Sequence, residues 1–67
     1  MIDVRGLSCP EPVIMVQKAM ESGESQYTVQ TDSKPAVENI TRFIVAHGYT
    51  VVAKEEQGEY ILTITKQ

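Results

Sequence analysis

Apolar and polar side chains alternate over residues 2–5, which places Ile2 and Val4 on one face of a short strand. The alternation returns over residues 26–31, with Tyr27, Val29 and Thr31 on a shared side. Between these runs the period lengthens. Val13, Val16 and Met20 recur at helical spacing, so residues 10–22 read as a helix that Gly23 terminates. Asp32-Ser33-Lys34-Pro35 opens a second helix. Asp32 or Ser33 caps it, and Pro35 falls in the first turn, where a missing N–H costs little. Val37, Ile40 and Ile44 mark its buried stripe, Phe43 lies beside them, and Gly48 stops it. Residues 49–56 and 59–66 are β-rich runs around Gln57-Gly58, the pattern of a hairpin.

The element order is therefore βαβαββ, and the fold class is α+β. Crossovers of one hand put both helices on the same face of a four-stranded mixed sheet, giving a two-layer sandwich. The polar alternates Asp3, Arg5, Thr28, Gln30, Thr50 and Lys54 suit a second face left to water. In such sheets the C-terminal ends of strands commonly carry function.

Length and charge narrow the classes. Sixty-seven residues form one domain, residues 1–67. A chain this short buries only about 60% of the surface its unfolded form exposes, so its core is small. Nine acidic and six basic side chains give a net charge of −3. The basic residues are scattered singly, without the stripe that nucleic-acid binding requires, so no direct nucleic-acid partner is expected. No run approaches the ~20 apolar residues of a membrane span, and the N-terminus carries no apolar leader. One cysteine, Cys9, and one histidine, His47, lie far apart in the chain, so no metal site and no internal disulfide is expected. No cofactor is implied. A lone thiol fits a reducing compartment, and the expectation is a cytoplasmic protein, monomeric in solution.

Cys9 then becomes the centre of interest. It stands in Cys9-Pro10-Glu11-Pro12, at the expected N-cap of the first helix. A helix N-terminus stabilises a nearby anion by roughly 0.3–2 kcal/mol, which favours a thiolate modestly. Pro10 at the first helical position and Pro12 at the third stiffen the loop and remove two N–H donors. The Glu11 amide is then the donor expected to face the sulfur, while the Glu11 carboxylate opposes the anion. Arg5 reads either as a cation near the thiol or as a solvated sheet residue. His47 reads as a helix C-terminal residue rather than a general base. Met15 and Met20 read as packing residues, Tyr27, Tyr49 and Tyr60 as strand residues, and Glu55, Glu56 and Glu59 as solvated charges around a turn.

Asp3-Val4-Arg5-Gly6-Leu7-Ser8-Cys9-Pro10-Glu11-Pro12 closely resembles the CPxP signature of the TusA/SirA/YedF sulfur-carrier family. The similarity runs on through Gly23, the Val29 strand, the Asp32 loop, the Ile40 helix and Gly48. The resemblance implies a βαβαββ sandwich similar to the C-terminal domain of translation initiation factor 3. It implies that Cys9 carries a persulfide sulfur, received from a cysteine desulfurase or a rhodanese-type donor. That sulfur passes to an acceptor protein in tRNA thiolation, cofactor synthesis, or sulfur or selenium metabolism. By position, Asp3, Gly6, Leu7, Pro10, Glu11 and Pro12 shape the loop and support the thiolate. Ser33-Lys34-Pro35-Ala36 departs from the Asp-Pro helix start of TusA-type members, and the lead and short C-terminus look more like the YedF branch.

A sulfurtransferase-type carrier of this kind acts with partner enzymes, so whether it counts as an enzyme is partly convention. The rival reading is a noncatalytic interaction or regulatory module that keeps the fold. A redox protein would need a resolving thiol from outside the chain.

Overall fold

The computed structural model describes residues 1–8 and 10–66; Cys9 and Gln67 lie outside the described residues. Six elements follow in the expected order: β1 (Ile2–Asp3), α1 (Glu11–Met20), β2 (Gln26–Thr31), α2 (Lys34–Ala46), β3 (Tyr49–Glu56) and β4 (Glu59–Lys66). The sheet order is β1-β2-β4-β3. β1 runs parallel to β2, pairing Ile2 with Val29 and Asp3 with Gln30. β4 is antiparallel to both β2 and β3, so β2 and β3 point the same way with β4 between them. This is a mixed sheet with two helices on one face.

The alternation read from the sequence decides which face is covered. Tyr27, Val29 and Thr31 of β2 are buried, as are Leu62 and Ile64 of β4. Tyr27, Val29, Leu62 and Ile64 join Val16 of α1, Ile40 and Ile44 of α2 and Val4 in one core cluster. On the opposite face Thr50, Val52 and Lys54 are exposed, and Val52 keeps 69% of its surface in water. Fully burying one of the core aliphatic side chains contributes about 1.5–3 kcal/mol.

Turn chemistry sets the ends. Gln57 and Gly58 both have positive φ, 53° and 80°, which is the type I′ hairpin whose twist matches its strands. Ser33 is the N-cap of α2, and its hydroxyl accepts the Ala36 N–H at 3.3 Å. The Tyr27 hydroxyl accepts the Glu24 N–H at 2.9 Å and donates to the Met20 carbonyl at 3.3 Å, closing the end of α1.

Three expectations are corrected. β1 ends at Asp3 rather than Arg5, because the Asp3 carboxylate accepts the Arg5 N–H at 3.0 Å and turns the chain out of the sheet. α1 spans Glu11–Met20 with Pro10 as N-cap, so Pro12 occupies the second helical position and not the third. Met15 stays 39% exposed, while Met20 does pack against the core. α1 presents Val16 inward, and Met15, one residue earlier, falls on the solvent side of the turn.

Candidate functional site

β1 and β2 are parallel, so their C-terminal ends and the two helix starts gather at one end of the molecule. The β3–β4 turn joins them there, since Thr31 of β2 lies opposite Tyr60 of β4. The segment over residues 4–8 crosses this end.

Its conformation is specified residue by residue. Val4 donates to the Gln30 carbonyl at 2.9 Å, continuing the β1–β2 ladder by one bond. Leu7 donates back to the Val4 carbonyl at 3.3 Å, closing a turn. Gly6 sits in that turn with φ +77°, a left-handed conformation that a side chain would strain. Its N–H donates to Asp32 Oδ1 at 3.2 Å. Leu7 is half-buried against the core.

Asp3 and Arg5 form a closed pair. Arg5 Nε and a terminal guanidinium nitrogen donate to the two Asp3 carboxylate oxygens at 3.0 and 2.9 Å. The other terminal nitrogen reaches Glu59 Oε2 at 3.4 Å, and Glu59 Oε1 accepts from Gln30 Nε2 at 2.7 Å. The guanidinium hydrogen bonds lower the Asp3 carboxyl from its ordinary 3.8 to about 2. Arg5, held by two carboxylates, is pushed still higher than its usual value. Arg5 is a turn residue paired with Asp3 and Glu59, not the solvated sheet residue of one reading; the other reading, a cation near the thiol, falls on Cys9, outside the described residues.

At the helix start, Pro10 is exposed, Glu11 is exposed and Pro12 is buried. The Glu11 N–H donates to the Ser8 carbonyl at 2.9 Å. The loop's own backbone thus uses the amide that was expected to face the sulfur. The N-cap expected at Cys9 falls instead on Pro10, because the helix begins at Glu11; the sulfur itself lies outside the described residues. A small cleft of about 30 Å³ opens between the two helix starts, lined by Leu7, Pro12, Val13, Ser33, Pro35 and Ala36 among others.

His47 is not part of this end. It follows the last residue of α2, roughly 20 Å along the helix from Ser33 at 1.5 Å per residue. Its Nδ1 lies 2.8 Å from the Phe43 carbonyl, and its ring stacks on Phe43 at 4.2 Å. It closes the helix C-terminus, as the sequence indicated. Asp3, Gly6, Leu7, Pro10, Glu11 and Pro12 do gather around the loop. Asp32, Gln30 and Glu59 join them without having been singled out there. A carboxylate just past the end of the parallel neighbour strand was the available signal for Asp32. Among the described residues no helix is long and apolar enough to cross a membrane.

The fold and this end together define a class: a two-layer α+β domain that presents one cysteine-bearing loop between a parallel edge strand and a proline-framed helix. The comparisons make the class specific. Residues 1–66 match the family described as sulfurtransferase TusA, and the chain belongs to that family. It is 45% identical over 69 residues to a Methanocaldococcus jannaschii protein described as a "putative sulfur carrier protein", covering 97% of this chain and 91% of that one. Among solved structures it is similar to a SirA-like protein from Desulfitobacterium hafniense, with a TM-score of 0.83 and 31% identity over 96% of this chain and 92% of the other.

Proposed function

We propose that this chain is a sulfur carrier that holds a persulfide sulfur on Cys9. Family membership and the similar archaeal protein support a sulfur-carrier role. The observation that carries the reading further is the fixed loop on either side of Cys9: Gly6 tied to Asp32 before it, and the Ser8–Glu11 bond spanning it.

The chemistry is a pair of displacements. The Cys9 thiolate attacks the terminal sulfur of a donor persulfide. A Cys9 S–S bond forms, the donor S–S bond breaks, and the donor cysteine leaves with the electron pair as a thiolate. A nucleophile on the acceptor then attacks the terminal sulfur of the Cys9 persulfide, and the Cys9 thiolate is released. No external oxidant or reductant enters. The donor is a cysteine desulfurase or a rhodanese-type protein. The acceptor is a protein of tRNA thiolation, cofactor synthesis, or sulfur or selenium metabolism, and the exchange takes place in the cytoplasm.

Radiolabelled cysteine sulfur tests the relay. Label supplied through a cysteine desulfurase should appear on the wild-type chain, stay absent from Cys9→Ser, and move to a sulfur-accepting protein when one is added. Label that reaches the acceptor equally well with Cys9→Ser would contradict the proposal.

A further inference from the structure

Two carboxylates outside the Cys9-bearing segment hold that segment, one from the connection between β2 and α2 and one from the start of β4. β1 contributes two residues to the sheet, so its ladder alone fixes little beyond Asp3. Asp32 supplies one hold. It stands between β2 and the Ser33 cap, next to fully buried Thr31, whose Oγ1 accepts the Ser33 N–H at 3.2 Å. From that anchored position Asp32 Oδ1 takes the Gly6 N–H at 3.2 Å, three residues ahead of Cys9. Glu59 supplies the other. One of its oxygens accepts from Gln30 at 2.7 Å and the second from Arg5 at 3.4 Å, so Arg5 is tied to β1 through Asp3 and to β4 through Glu59.

We infer that Asp32 and Glu59 are positioning residues for the loop carrying Cys9, Asp32 through the Gly6 amide and Glu59 through the Arg5 guanidinium. This rests on the sulfur-carrier reading. Exposed ion pairs contribute about 0.2–1 kcal/mol to global stability, so the effect of the network is on local geometry. Geometry matters here because a carrier must offer one sulfur to two partners in turn, and a misplacement of about 1 Å at a reacting atom can cost about a hundredfold in rate.

The test measures persulfide loading from a cysteine desulfurase and cysteine in Asp32→Ala, Asp32→Asn, Glu59→Ala and Glu59→Gln. Asp32→Ala should slow single-turnover loading at saturating donor roughly three- to tenfold, with KM held within about twofold. Asp32→Asn keeps an oxygen acceptor for Gly6 and should recover most of that rate. Glu59→Ala should slow loading about two- to threefold, with Glu59→Gln recovering it. Loading unchanged in both alanine variants overturns the inference. So does a raised KM with unchanged rate in Asp32→Asn and Asp32→Ala alike, which would make the Asp32 charge a docking contact. If the wild-type chain accepts no sulfur, the carrier reading fails, and positioning is judged by Gly6 amide exchange and iodoacetamide alkylation of Cys9. Both should change in Asp32→Ala and return in Asp32→Asn; unchanged values overturn the inference on their own.

Discussion

The two helices begin at the same end of the sheet with nearly the same plan and one difference. In α1 the first two helical residues are Glu11 and Pro12, and in α2 they are Lys34 and Pro35. The N-cap carbonyls both receive the first helical bond, Pro10 from Ile14 at 3.2 Å and Ser33 from Val37 at 3.1 Å. Ser33 also closes its helix with its own hydroxyl, whereas Pro10 has no side-chain acceptor to give. One start is completed by its cap. The other is stiffened by prolines and held by the preceding loop, directly after Cys9. The difference separates a helix start closed by its own side chain from one that, in the proposed carrier, frames the thiol.

The largest predicted effect falls on α2. Ile40 is fully buried between α2 and the sheet. Ile40→Ala should cost about 2–5 kcal/mol in urea unfolding, yet leave sulfur loading at its normal rate while the protein stays folded. A proportional loss of loading in the folded protein would blur the division between the helices. Next comes the cap. Ser33→Ala should cost about 0.5–2 kcal/mol and speed exchange of the Ala36 amide, with Ser33→Asp restoring both. A neutral Ser33→Ala would remove the contrast between the two starts.

The smallest effect lies in the loop ahead of α1. Arg5 lowers Asp3 to about 2 in the folded protein, below its ordinary 3.8. Because the folded value is depressed, its stabilising contribution is present above the unfolded value and fades as pH falls toward 2. NMR titration of the Asp3 carboxyl should show the low midpoint, and Arg5→Gln should raise it toward the ordinary carboxylate value, the backbone N–H of residue 5 keeping part of the depression. Asp3 is about half exposed, so the accompanying change in melting temperature is small.

The periodicity of the chain carried the architecture. β2 lies on the residues whose alternation marked it, β3 and β4 lie on the β-rich runs either side of Gln57-Gly58, and Ile40 and Ile44 are buried as their spacing required. Gln57-Gly58 was readable because a two-residue hairpin demands positive φ at both positions. The end of β1 was not, because it depends on a side chain, Asp3, bonding to a backbone N–H two residues on in place of the ladder. Nor was the loop's support. Arg5 and Glu59 are 54 residues apart, and Gly6 and Asp32 are 26 apart, so only the folded sheet brings them together. Local propensity likewise could not show that the Ser8 carbonyl takes the Glu11 amide.

The most direct test of the central claim is the intact mass of the chain after incubation with a cysteine desulfurase and cysteine, with and without reductant. The account predicts a gain of one sulfur atom, about 32 Da, that reductant removes and that Cys9→Ser never acquires. No gain with several donors, or a gain that persists in Cys9→Ser, would contradict it.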